Sequence, residues 1–538
     1  MPTLTFSHAS FAWPDGRPLF EDLTFALPDG VTAVVGRNGI GKSTLVRLAL
    51  GDLAPTAGRI RRPATVAHVP QDVALATGLR AADALGVADR VDALRAIEAG
   101  SADAAHYDAL ADDWTVEERA TAMLATLGLG VDLDRVVGDM SGGEATLLAV
   151  GAALLARPAL LVLDEPTNNL DAEARSALAA QLAARDGATL VVSHERALLE
   201  AVDRIVELRE REDRTVELRW FGGALSAFEE AGAVERDAAR RAVTAAEADV
   251  VRRGRELESH AASGGRRARQ GERARETRRY VGAAADQKRG QAERTDARVR
   301  AIHADRLADA RGRLADAREA IPRDRSIRVD LPGTSVPARQ VVLEARGLVT
   351  RTGAELEGEV VGPERIRLAG RNGAGKTTLV STLLGELAPA AGHARVAVPA
   401  GILRQRLDVL DDAASVVDNV RARAPEAGLQ EVRDSLGRFR LRGRAAEAAA
   451  GTLSGGERFR AALACVLLAR PEPRLLVLDE PTNSLDLESQ AQLVEALEGY
   501  GGALLVISHD RAFVDALAVT REWHLEPGPG AVRDRPLA

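Results

Sequence analysis

The sequence is short of several things, and each shortage excludes a class. One cysteine, Cys465, in 538 residues excludes a disulfide framework, a structural zinc module and a cysteine-ligated iron–sulfur cluster. The lone thiol is expected to be a small core residue. No apolar run reaches the roughly 18 residues of a membrane span; the stretch Leu147 to Leu163 is cut by Arg157. The opening MPTLTFSHAS lacks the basic patch and apolar core of a secretion signal, so a soluble cytoplasmic location is expected. Basic charge is not in excess: the formal net charge is -8, so bulk composition does not announce a nucleic-acid binder. Lysine is the scarcest charged residue. Of 71 basic residues only Lys42, Lys288 and Lys376 are lysines, and a lysine that survives such replacement marks a place arginine cannot fill. What is plentiful is apolar side chain, 46%, enough for large cores. At about 150 residues per domain the length suggests three or four domains.

The chain repeats itself. GRNGIGKST at 36–44 returns as GRNGAGKTT at 370–378, LLVLDEPTNNLD at 160–171 as LLVLDEPTNSLD at 475–486, SGGE at 141–144 and again at 454–457, and SHER at 193–196 as SHDR at 508–511. The two lysines are 334 residues apart but the SGGE segments only 313. Two copies of one domain are therefore present, the first with about 21 extra residues between lysine and SGGE. Val31–Val35, Leu160–Leu163, Leu190–Val192, Leu475–Leu478 and Leu504–Ile507 are short apolar runs, read as strands buried on both faces. With helical patterns between them they predict an α/β fold with a largely parallel sheet in each copy. The expected boundaries are 1–223 for the first copy, with a small insertion about 85–125, then 224–330 for a segment of different character, and 331–538 for the second copy.

The pattern G-x-x-x-x-G-K-[ST] fits Gly36–Ser43 and Gly370–Thr377. Gly36, Gly39 and Gly41, and likewise Gly370, Gly373 and Gly375, let backbone N–H groups turn inward around phosphate oxygens, and the helix start adds its dipole. Arg37, Asn38 and Thr44, with Arg371, Asn372 and Thr378, complete the two loops. Lys42 and Lys376 reach the β- and γ-phosphates as compact charges. Ser43 and Thr377 are predicted Mg²⁺ ligands. The apolar strands end in Asp164–Glu165 and Asp479–Glu480, where the aspartate can hold Mg²⁺ and the glutamate can polarise an attacking water. His194 and His509 each follow a strand and a serine and are read as γ-phosphate contacts. Gln71 and Gln405 both lie 29 residues past their lysines and can ligate Mg²⁺ and water from a movable loop. Ser141, Gly142, Gly143 and Glu144, and Ser454, Gly455, Gly456 and Glu457, open two further helices. Each is a second anion-binding helix start, expected to serve ATP bound to the other copy.

This ordered set, present twice, resembles a tandem ATP-binding cassette protein over about 430 of 538 residues. The resemblance implies a head-to-tail cassette pair with two ATP molecules at the interface. Site one would combine Gly36–Thr44, Gln71, Asp164, Glu165 and His194 with Ser454–Glu457. Site two would combine Gly370–Thr378, Gln405, Asp479, Glu480 and His509 with Ser141–Glu144. Asn169–Asp171 and Ser484–Asp486 would be the bridging D-loops. Three departures point to unequal sites. Trp13 can stack on adenine, while no aromatic lies between 333 and 376. Arg458 follows the second SGGE and Ala145 the first. Asn169 and Ser484 replace the histidine usual in EPTNHLD.

Residues 226–330 carry 25 basic and 19 acidic residues, net +6, which leaves the rest of the chain at -14. Sevenfold spacing of Val243, Val250 and Leu257, and of Leu307, Leu314 and Ile321, with alanines between, predicts two helices in an antiparallel coiled-coil hairpin. Its expected turn, 262–281, holds seven arginines, two glutamates and Tyr280, a tip suited to phosphate in an otherwise acidic protein. Two cassettes with no membrane segment and a helical linker of this size resemble the ABC-F family. That resemblance implies a monomer binding the ribosomal E site in ATP, with the linker reaching P-site tRNA and rRNA. It also implies action on translation, as a translation factor or by ribosome protection against antibiotics. A tandem ATPase subunit of a membrane transporter is the alternative, though such chains usually join their cassettes by a short linker.

Overall fold

The computed structural model describes residues 4–71, 73, 76–168, 170–211, 213–277, 283–320, 331–404, 407–483 and 485–537; of 261, 263–277, 283–293, 296, 319, 320 and 332 only the backbone is described. The chain divides into two compact units, Met1–Ala227 with Ser326–Ala538, and Phe228–Arg325. Both sequence copies belong to the first unit.

In the first copy nine strands form one sheet, in the order Ala57–Arg61, Leu4–Ala12, Pro18–Leu27, Val216–Gly222, Arg204–Glu210, Gly30–Gly36, Ala188–Val192, Leu160–Asp164, Val66–Val69. The last five pair in parallel. Their sequences are continuous apolar runs because helices cover both faces: Leu160–Leu163 are all buried, as are all of Ala188–Val192. In the second copy a mostly antiparallel part separates as a four-stranded sheet, and Ala400–Leu403, Leu475–Asp479, Ala503–Ile507, Arg365–Gly370 and Arg521–Leu525 pair in parallel. Phe6, Phe20 and Leu45 anchor one core on the first sheet. Trp523 and Leu368 anchor one face of the second parallel sheet, and Phe439, Phe459 and Leu478 the other. Cys465 lies fully buried in the helix Gly455–Leu467, its thiol pushed up to about 12 by burial.

Because parallel strands share one direction, their carboxyl ends share one edge. The chain leaves that edge at Gly36, Asp164, Val192 and Val69 in the first copy, and at Gly370, Asp479, Ile507 and Leu403 in the second. Every motif that follows a strand is thereby delivered to one rim, where open α/β sheets bind ligands.

The second unit consists of the long helix Leu225–Thr277, which begins in the first unit, and the helix Ala283–Ala320. Arg313 meets Asp249 at 2.9 Å, Arg318 meets Glu247 at 2.7 Å, and the rings of His260 and His303 lie 4.4 Å apart. Rising numbers on one helix meet falling numbers on the other, so the pair is antiparallel. Val243, Val250, Leu257, Leu307 and Leu314 are partly buried and Ala310 is fully so. The first helix continues to Thr277, through most of the segment expected to be the turn. Gly264 and Gly265 do not break it; each costs roughly 1 kcal/mol against alanine, which a helix this long absorbs. The side chains of the seven tip arginines lie outside the described residues, as do Tyr280 and Ile321 entirely. Among the described residues no helix is long and apolar enough to cross a membrane.

Candidate active site

The two glycine loops are built alike. At Gly36 φ is +150° and a Cβ would lie 2.9 Å from the Leu208 carbonyl oxygen; at Gly370 φ is +152° and the Leu525 oxygen would be 2.3 Å away. Only glycine lets the strand end pass so close to its neighbour. The helices Lys42–Leu50 and Lys376–Leu383 then start from left-handed Gly41 and Gly375. Lys42 folds back across its loop and donates to the carbonyls of Gly36 at 2.7 Å and Arg37 at 3.3 Å. Lys376 donates to Gly370 at 2.7 Å and Arg371 at 3.2 Å. Both lysines are buried, and burial lowers both ammonium groups below their ordinary range.

At the adjacent strand ends, Glu165 and Glu480 adopt φ of 49° and 47°. The same strained backbone at the same place in both copies, on a residue other than glycine, is the kind of outlier that collects at functional sites. Each backbone N–H donates to the end of the next strand, Glu165 to Val192 and Glu480 to Ile507. His194 Nε2 lies 3.5 Å from Glu165 Oε1, and His509 Nε2 lies 3.4 Å from Glu480 Oε1. Burial pushes the carboxyls up, to about 8 for Glu165 and about 7 for Glu480, and pushes both imidazoles down to about 3. The histidines are therefore neutral near pH 7. Glu480 Oε2 and both ring nitrogens of His194 are buried without a hydrogen-bond partner among the described residues. Such orphaned groups call for a ligand.

The oxygen donors fit Mg²⁺. Thr377 Oγ1 donates to Asp479 Oδ2 at 3.3 Å, which joins the loop hydroxyl to the strand-end carboxylate. Burial raises both Asp164 and Asp479. Among the described residues no cluster of three or more His, Cys, Asp or Glu side chains could hold a metal. Mg²⁺ is commonly held by one or two protein oxygens with water and phosphate, so this sparse set suits it. Gln71 is exposed just beyond the strand Val66–Val69, beside the strand that ends at Asp164. Gln405 lies outside the described residues, as do Asn169 and Ser484.

Ser141 and Ser454 cap the helices Gly142–Leu155 and Gly455–Leu467. The Ser141 N–H donates to Glu144 Oε2 at 2.8 Å, and the Ser454 N–H to Glu457 Oε2 at 3.1 Å, so the glutamate of SGGE closes a capping box. Loop and cap from opposite copies meet at one place. The Asn38 N–H donates to Asp486 Oδ2 at 2.8 Å, and Arg37 lies 3.4 Å from Glu488. A Cβ on Gly455 would sit 3.6 Å from Asn38 Nδ2. Asp486 also accepts from the Ser489 N–H at 2.8 Å, so one carboxylate caps its own helix and holds the opposing loop. Burial works against its charge, yet these hydrogen bonds keep it below the usual carboxylate range. At the second pairing Arg371 stands 3.9 Å from Asp171 and from Glu173, and a Cβ on Gly142 would meet nothing within 4 Å.

Trp13 ends the strand turn whose far side, Leu19 and Phe20, packs on Gly41; it is 37% exposed and edge-on to Phe11. In the second copy Thr352 fills the place beside Gly375. Arg458 turns onto its own copy, pairing with Asp412 and the Ala450 carbonyl. Two features belong to no motif. Arg175, buried and bonded to Glu195 at 2.8 Å, adds positive charge beside Glu480 and His509 of the opposite copy. Arg367 lies in the strand that feeds the second loop. The sequence does carry a signal for it, a charge inside a parallel-strand run: RIRLAG against VTAVVG in the first copy.

The family described as ABC transporter matches residues 20–168 and 355–483. The chain is 33% identical to the tylosin resistance ATP-binding protein TlrC of Streptomyces fradiae, over 92% of this chain and 93% of that one. It is 31% identical to the probable ATP-binding protein YheS of Escherichia coli (strain K12), over 96% and 79%. It is 32% identical to the ATP-binding protein Uup of Caulobacter vibrioides, over 93% and 74%. Among solved structures, the RNase-L Inhibitor superposes with a TM-score of 0.58 at 20% identity, covering 100% of this chain and 91% of its own, a likeness of fold. Two matched cassettes, relatives spanning nearly the whole chain and the doubled loop, carboxylate and cap geometry agree: the chain belongs to the ATP-binding cassette family, among the tandem-cassette ATPases of its ABC-F group.

Proposed function

We propose that the chain hydrolyses ATP at two composite sites between its cassettes and uses ATP binding to engage the ribosome, acting on translation and protecting the ribosome from an antibiotic. The observation that carries the composite sites is the closure of Asn38 on Asp486 and Gly455, a phosphate loop of one cassette against the cap of the other. In this reading Lys42 and the loop N–H groups of Gly39–Thr44 hold the β- and γ-phosphates, and Ser454–Glu457 close over the γ-phosphate from the opposite side. Ser43, Asp164 and Gln71 hold Mg²⁺, which supplies charge for the phosphates. Glu165, in its ionised form, takes the proton of the water that attacks the γ-phosphorus, and the bond to the bridging oxygen breaks to leave ADP and phosphate. His194, neutral, donates its single ring N–H to the γ-phosphate. Lys376, Thr377, Asp479, Gln405, Glu480 and His509 do the same at the second site, with Ser141–Glu144.

Ribosome engagement is supported by membership of the ABC-F group and by the net +6 of residues 226–330 in a chain otherwise at -14. Antibiotic protection is supported by the relative described as a tylosin resistance protein. The test is co-sedimentation of the full-length E165Q/E480Q chain with 70S ribosomes. We expect pelleting in ATP and none in ADP or without nucleotide. Equal pelleting in all three conditions, or none in ATP, would overturn the proposal.

A further inference from the structure

Behind the second phosphate loop lies a buried ion pair that the first cassette lacks. Arg367, three residues before Gly370, stands directly opposite Glu522 in the parallel sheet. Its Nη1 donates to Glu522 Oε2 at 3.1 Å, while Nε and Nη2 both donate to the Ser508 carbonyl, at 3.3 and 3.2 Å. The Glu522 side chain is 2% exposed. Arg535, on the last strand, donates from Nε to the other oxygen of Glu522 at 2.9 Å. In the first cassette the matching position, three residues before Gly36, is Ala33, opposite Ile205, and both are fully buried.

Packing alone does not ask for charge here, since Ala33 and Ile205 fill the same place. A buried ion pair costs desolvation and is often no more stable than an apolar pair of similar volume. What the charges do, and the apolar pair cannot, is hold the carbonyl of residue 508. The next residue is His509, whose Nε2 stands 3.2 Å from Lys376 Nζ and 3.4 Å from Glu480 Oε1. His194 in the first cassette has no hydrogen-bond partner for either ring nitrogen among the described residues. We propose that Arg367, held by Glu522, is a positioning residue that fixes the backbone carrying His509 and so sets the second ATP site's turnover separately from the first. This rests on the role given above to His509.

The test installs the first cassette's pair in the second. The full-length R367A/E522I chain leaves no buried charge unpaired, and Arg535 is 61% exposed, so the fold persists. Turnover is read in E165Q, where the second site works alone, and in E480Q, where the first does. In the E165Q chain R367A/E522I should lower kcat roughly tenfold or more, with KM for ATP, melting temperature and the E480Q turnover changed by no more than about twofold or a degree or two. R367K, which keeps a donor for the Ser508 carbonyl, should recover part of the loss. With both glutamates in place, R367A/E522I should cost nothing further on top of H509A, because the two act through one group. An unchanged kcat in E165Q, an equal loss in both backgrounds, or a further loss on top of H509A would overturn the proposal. Turnover surviving in E165Q/E480Q would instead sink the role of the glutamates. Wild-type turnover in H509A would sink the role of that histidine and this proposal with it.

Discussion

Glu165 and Glu480 hold protons that the same residues in an unfolded chain would have lost. Burial lifts them from 4.5 to about 8 and about 7. As pH rises past 4.5 the unfolded chain releases these protons while the folded chain keeps them, so folding loses stability up to about pH 8. Glutamine removes both titrations. Nucleotide-free E165Q/E480Q should therefore melt with the wild type below about pH 4 and a few degrees above it near pH 8. Scanning calorimetry across that range checks this, and a gap that does not change with pH would count against it. The histidines run the other way. Their neutral form is favoured, so their contribution is full above 6.5 and is lost as pH falls towards 3. Imidazoles that stay neutral at working pH suit a hydrogen-bonding role better than that of a counter-charge.

At the scale of elements, the two cassettes differ at the turn after the first strand of each, Leu4–Ala12 and Val341–Val349. The first offers Trp13 there, and the second Thr352, bonded to Thr350 at 2.9 Å. Replacing Trp13 by alanine should weaken ATP binding at the first site by roughly 1–3 kcal/mol, if adenine stacks on it as bases stack on aromatics elsewhere. The second site has no such platform to lose and should not respond. Fluorescent-nucleotide titration with one site disabled at a time separates the two, and equal affinities that ignore Trp13→Ala would refute the stacking role. The capping boxes at Ser141 and Ser454 show why SGGE recurs. Its serine and glutamate satisfy the helix start from within, and in the proposed function the other N–H groups of that turn face the γ-phosphate.

For the whole molecule the decisive feature is charge distribution. An acidic remainder repels polyanions, while seven arginines gather in residues 262–281. Changing Arg266, Arg267, Arg269, Arg273, Arg275, Arg278 and Arg279 to glutamine alters no residue of either ATP site, so basal ATPase should hold. Ribosome binding should weaken, and the slope of log affinity against log salt should flatten by somewhat less than one unit for each phosphate that no longer meets an arginine. Pelleting at several salt concentrations, with ATPase measured in parallel, tests this. Unchanged pelleting at every concentration would leave the segment as a spacer.

The repeated motifs were legible in the sequence because their chemistry is local. A glycine loop, a lysine that arginine cannot replace and a carboxylate closing an apolar run each state their purpose within a dozen residues. Parallel strands then bring them to one rim, a consequence of strand direction that needs no knowledge of side-chain packing. The heptads of the linker announced two helices in the same way, although the first helix runs to Thr277, through most of the segment expected to be the turn. Three things depended on residues far apart in the chain. Asp486 bonds Asn38 across 448 positions, and no spacing rule foretells which carboxylate meets which amide. The raised carboxyls and lowered imidazoles come from burial, which exists only once both sheets and their helices have closed. Arg367 acquires partners only from Glu522 and the Ser508 carbonyl, 155 and 141 residues away. Sequence determined which chemistry is present, because motifs are short-range. Tertiary structure decided which groups share a low-dielectric space, because desolvation and hydrogen bonding act over a few ångströms regardless of separation along the chain.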